Sequence, residues 1–81
     1  MKAILEFNFD ESGDRMEHKR CVKALDMALV LWEFYHNSKK SLEYKMDADS
    51  GLTRYDAIDA IYEHFQELLD EHSVNINDLV E

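Results

Sequence analysis

Proline is absent from this chain and glycine occurs only twice, at Gly13 and Gly51. With so little turn punctuation, long helices and few breaks are expected. Cysteine occurs once, at Cys21, which excludes an internal disulfide and a thiolate cluster for zinc. Cys21 itself reads as an ordinary buried intracellular thiol. No apolar run reaches the roughly 18 residues of a membrane-spanning helix. The N-terminus has no signal-peptide pattern, so a soluble cytoplasmic protein is expected. No glycine-rich loop offers backbone donors to a phosphate. Bases are nearly missing from one half, where Arg54 is the only one after Lys45.

What is present is a sorted charge. Residues 1–45 carry eight acids and eight bases, while residues 46–81 carry ten acids against Arg54 and so hold the whole net charge of −9. The hydrophobic fraction is 46%, with four Tyr, four Phe and one Trp, which argues against disorder despite 33% charged residues. Eighty-one residues make one domain, spanning 1–81. A chain this short has a marginal core, and a second copy is one way to enlarge it.

Residues 2–9, KAILEFNF, alternate Leu5, Phe7 and Phe9 with Glu6 and Asn8, and read as a strand. Asp10–Asp14 reads as a loop in which Ser12 or Asp14 caps a helix, with Glu17 completing a capping-box spacing after Asp14. The first helix is expected from about Asp14 to Lys45. Its main apolar stripe is Cys21, Leu25, Ala28, Leu29, Trp32 and Tyr35, and Met27, Val30 and Phe34 lie on the opposite side. The pattern weakens at Asn37–Ser41, where a bend or fraying is expected. Asp47–Gly51, DADSG, is the strong break of the second half. Thr53 is the expected N-cap of a second helix, about Arg54 to His72, with Asp56 at the capping-box position. The tail alternates Val74 and Ile76, as a short strand or a docked extension would.

The second helix carries Ala57, Ile58, Ile61, Tyr62, Phe65, Leu68, Leu69 and His72 on one arc. On the opposite arc stand Asp56, Asp59, Glu63, Glu67 and Asp70, within roughly 80° of one another at about 100° per residue. A solvated helix face usually mixes signs, with Lys or Arg four residues after an acid. None follows Arg54 here. A single-sign ridge attracts basic partners and repels nucleic acid and anionic membranes. Its spacing is comparable to that of phosphates along one nucleic-acid strand, so it suits a basic groove built for DNA or RNA. The plain alternative is a face that only keeps the protein soluble.

Other constellations are weaker. His64 and His72 lack the i, i+4 spacing of a zinc pair, so neither a metal nor a cofactor is expected. Cys21 and His18 stand at i, i+3 with no orienting third group, and no catalytic residue is expected. Arg15, Lys19, Arg20 and Lys23 cluster among Asp14, Glu17 and Asp26, which is poor support for direct nucleic-acid binding. Trp32, Phe34, Tyr35 and Tyr44 suit either a core or an interface.

The opening MKAILEFN, the central VLWEFYHNSKKSLEYK and the late IYEHFQELLDEHSVNINDL together resemble a family of small uncharacterised proteins of tailed bacteriophages that begin MKAILEFN. The resemblance implies a gene product acting in the cytoplasm of an infected host. It carries over no catalytic residue.

The expected fold is therefore α+β and mostly helical: an N-terminal strand, then a two-helix antiparallel hairpin with a possible C-terminal strand. The second helix is expected to pack on the Leu25–Trp32 stripe. That leaves Met27, Val30, Leu31 and Phe34 as the expected self-association surface of a homodimer. The expected function is a non-enzymatic accessory protein that binds a host protein through Asp56, Asp59, Glu63, Glu67 and Asp70, as a nucleic-acid mimic in its sharpest form. One alternative is a structural or regulatory homodimer with a merely solubilising acidic face. Another is a sequestering protein for a small nucleotide signal, held between subunits by Arg15, Arg20 and Trp32.

Overall fold

The computed structural model describes residues 1–80. Its elements are α1 (Ser12–Glu33), a π turn (Phe34–Ser38), α2 (Lys39–Asp47), α3 (Arg54–Glu71) and a 3-10 turn (Ile76–Asp78). The first three form one continuous helical arm. α3 folds back against it, so the molecule is a helical hairpin.

The hinge follows from local chemistry. After α2, Ala48 N–H closes on the Tyr44 carbonyl, and Gly51 N–H donates to Asp49 Oδ1 at 2.9 Å. Thr53 then starts α3 with both halves of a capping box. Asp56 N–H donates to Thr53 Oγ1 at 3.2 Å, and Thr53 N–H donates to Asp56 Oδ2 at 2.8 Å. Two of the donors that every helix start leaves unpaired are satisfied this way.

The end of α3 is equally specific. Ser73 has φ of 55°, in the left-handed region. Val74 N–H bonds the Leu69 carbonyl at 2.8 Å and Ser73 N–H bonds the Asp70 carbonyl at 3.1 Å. This is the Schellman pattern, with serine where glycine is usual. It turns the tail back so that Val74 and Leu79 enter the core beside Val30, Leu68 and Leu69, with Met27, Phe34 and Phe65 packed around them. The Asn75 side chain accepts from Asn77 N–H at 3.0 Å and starts the 3-10 turn. Arg20 Nε donates to the Leu79 carbonyl at 2.8 Å and pins the tail to α1. The tail is thus the docked extension.

The expectation of an α+β fold is overturned. No strand occurs among the described residues. The tail coils into its 3-10 turn, so residues 2–9 have no edge to pair with, and a lone strand leaves its backbone groups unpaired. The segment lies instead over the start of α1. Phe7 and Phe9 make edge contacts with the His18 ring, at centroid distances of 5.4 and 4.8 Å. Asn8 N–H donates to the Asp14 carboxylate at 2.8 Å. Asp14 therefore reaches back along the chain; the N-cap position is Glu11, without a side-chain cap.

The two faces of α1 are also exchanged. Val30 is 2% exposed and belongs to the core, whereas Leu25 is 70% and Trp32 55% exposed. The reason is the π turn. Val30, Phe34, Ser38, Leu42 and Met46 recur every four residues. In an unbroken α-helix such a series drifts by about 40° per step, and Met46 would finish about 160° from Val30. The wider turn absorbs one extra residue and brings the series back into phase. All five are buried or half-buried. Only the Val30 side offers α3 and the tail a continuous surface along the whole arm.

Candidate functional site

The five ridge carboxylates of α3, Asp56, Asp59, Glu63, Glu67 and Asp70, are all exposed. Three of them have work inside the chain. Asp56 belongs to the capping box, and the Thr53 backbone N–H, followed by the Thr53 hydroxyl, holds its carboxyl below the usual carboxylate range. Glu63 meets Lys45 of α2 at 3.7 Å, with both side chains largely in solvent. Asp70 Oδ1 accepts from Gln66 Nε2 at 2.9 Å. Among the described residues, Asp59 and Glu67 make no hydrogen bond or ion pair from their side chains. A shallow hollow lined by Lys45, Met46, Leu52, Asp56, Asp59 and Glu63 borders the upper ridge.

The expected self-association set is not a surface. Val30 is buried, Met27 and Phe34 pack against the core cluster, and only Leu31 is well exposed, at 64%. The core that the exchanged face of α1 builds has taken them. The basic group at the start of α1 is likewise partly committed. Arg20 holds the tail, and Lys23 pairs with Asp26 at 3.7 Å. Trp32 lies about 18 Å along the helix from Arg20 at about 1.5 Å per residue, so one chain does not bring the two into one pocket. Trp32 stacks on His36 instead, at a centroid distance of 4.6 Å.

Two arrangements escaped sequence reasoning. Ser38, 2% exposed in the π turn, shares a hydrogen bond with His64 Nε2 of α3 at 2.5 Å. Nucleophilic chemistry would require an accessible hydroxyl and an orienting group on the ring. Here the hydroxyl is buried and no carboxylate bonds the His64 ring among the described residues, so the pair acts as a polar link between the arms. Its only sequence signal was the weakened periodicity at Asn37–Ser41. The other is a cluster of Glu33, Glu71 and His72, whose ligand-type atoms lie within 4.8 Å of one another. His72 Nε2 already meets Glu33 Oε1 at 3.2 Å, and Glu71 is exposed. The cluster is accounted for as a tie between the ends of α1 and α3. Glu33 stands far from His72 in sequence, so no spacing announces the pair.

No described helix is long and apolar enough to cross a membrane. No protein-family model, no curated protein and no solved structure matches this chain, so its functional reading rests on its own residues.

Proposed function

We propose that the protein is a non-enzymatic interaction module that docks the acidic edge of α3 on a basic surface of a protein partner. The carrying observation is that the hairpin leaves all five carboxylates exposed and, among the described residues, Asp59 and Glu67 without a side-chain partner. Asp59, Glu63 and Glu67 follow one another at four-residue steps, about 6 Å apart along the axis. Such a row presents a strip of one sign to lysines or arginines spaced for nucleic-acid phosphates. Given the resemblance to phage proteins, the partner is a host protein, and the sharpest form is a nucleic-acid mimic that occupies its binding groove.

The test pairs the wild-type chain with the triple variant D59K/E63K/E67K in capture from host lysate at low and high salt. A basic protein retained at low salt by the wild type, released at high salt and never retained by the variant is the expected result. Equal retention by both chains sinks the proposal. The three positions are exposed and outside the core, so the variant should keep its helical circular dichroism.

A further inference from the structure

The hairpin is thin. Its extents are 54 × 31 × 16 Å. α3 and the tail cover one side of the α1–α2 arm, and the middle of the other side of α1 stays exposed. The radius of gyration is 17.4 Å, against about 12 Å for a compact chain of this length. The accessible surface is 6911 Å², against about 5,100 Å² for a compact monomer of this mass. The extended residues 1–9, the outward side of α1 and the exposed Ile58, Ile61 and Tyr62 of α3 all contribute to that excess.

That side is apolar throughout its middle. Cys21, Ala24, Leu25, Ala28 and Trp32 lie within roughly 60° of the direction opposite Val30, at about 100° per residue. All five are exposed, and Leu29 stands at their margin. The charged residues of the same stretch, Lys23 and Asp26, sit toward the core and pair with each other. The face itself is uncharged, so a second copy can approach on it with the charges of the net −9 chain held away from the contact.

We propose that this face is covered by a second copy of the chain, with the two α1 helices antiparallel about a twofold axis near Asp26 and Met27. The sequence is self-complementary about that point. Leu25 falls opposite Ala28 of the partner subunit, Leu29 opposite its Ala24, and Trp32 opposite its Cys21. Each large side chain meets a small one, and the twofold repeats every pairing. This face accounts for part of an excess of roughly 1,800 Å² per chain, and a standard interface needs about 800 Å² from each partner. A second copy is also the one partner present whenever the chain is made. This interface is independent of the acidic edge, and the dimer would carry two such edges.

Sedimentation equilibrium of the full chain between micromolar and 100 µM concentrations tests it. The expected result is a species of twice 9.6 kDa. L25A and A28L should each weaken association by about tenfold or more, and L25A/A28L should recover most of it, because the swap restores a large residue opposite a small one. D59K/E63K/E67K should leave the dimer intact, which separates this proposal from the acidic-edge reading. A lone 9.6 kDa species at every concentration overturns it. So does a dimer indifferent to both single substitutions, or one that the double variant fails to restore.

Discussion

In α3 the charged arc faces solvent, and the buried Leu68 and Leu69 come from the apolar arc, whose Ile58, Ile61 and Tyr62 stay exposed. In α1 the order is reversed. Lys23, Asp26 and Glu33 are half-buried within about 60° of Val30, while Leu25, Ala28 and Trp32 point away. The two helices differ in what they are built against. α3 meets the arm with the Phe65–Leu69 part of its apolar arc, and its charged arc meets water. α1 has two apolar sides and only one of them is used by its own chain. An apolar stripe states that something covers it; it does not state what.

Substitutions at matched leucines break this comparison most directly. Leu69→Ala removes a buried side chain at the centre of a small core and is expected to cost about 2–5 kcal/mol. In so small a domain that is enough to lose the folded state at room temperature, measured by urea titration. Leu25→Ala acts on an exposed side chain of the single chain, so any large loss there should depend on protein concentration, as an association equilibrium does.

The hinge should give a smaller effect. Thr53→Ala removes one half of the capping box and is expected to destabilise by about 1 kcal/mol. It also carries a pH signature. Asp56 is held below its ordinary pKa in the folded state, so its contribution is fully present above the unfolded value, about 3.9. That contribution is lost as pH falls through the lower folded value. Thermal melts at pH 6 and at pH 2.5 should therefore differ more for the wild type than for Asp56→Asn. Equal differences would show that the carboxylate is idle.

The smallest effect has the opposite sign. Ser73 holds a left-handed conformation that disfavours any side chain. Ser73→Gly is expected to stabilise by about 0.5–1 kcal/mol, read as a higher melting temperature. A lower one would mean that the serine side chain supports the tail.

The parts of this fold legible in the sequence were those that local chemistry decides. Thr53 and Asp56 marked the start of α3, DADSG marked the hinge, and both arms run nearly as their periodicity indicated. The strand over residues 2–9 was misread because alternation supplies one face and says nothing of a neighbouring edge. The faces of α1 were exchanged because periodicity identifies two opposite stripes with equal force, and the choice between them is made by residues beyond the π turn. The acidic edge was legible as a row of residues. Its partial commitment, through Lys45 and Gln66, depends on how the arms come together.

The π turn also decides which changes of length this hairpin tolerates. Between Asp47 and Gly51 an added residue lengthens a solvent-exposed connection, at little entropic cost. Loss of one residue within the turn, such as Asn37, would let the arm close as an unbroken α-helix with Leu42 and Met46 still toward α3, because the turn holds one residue more than a regular helix needs. An added residue in α2 before Leu42 would instead swing Leu42 and Met46 by about 100° away from α3. The irregular turn is where this arm keeps its count of residues in step with the surface they must meet.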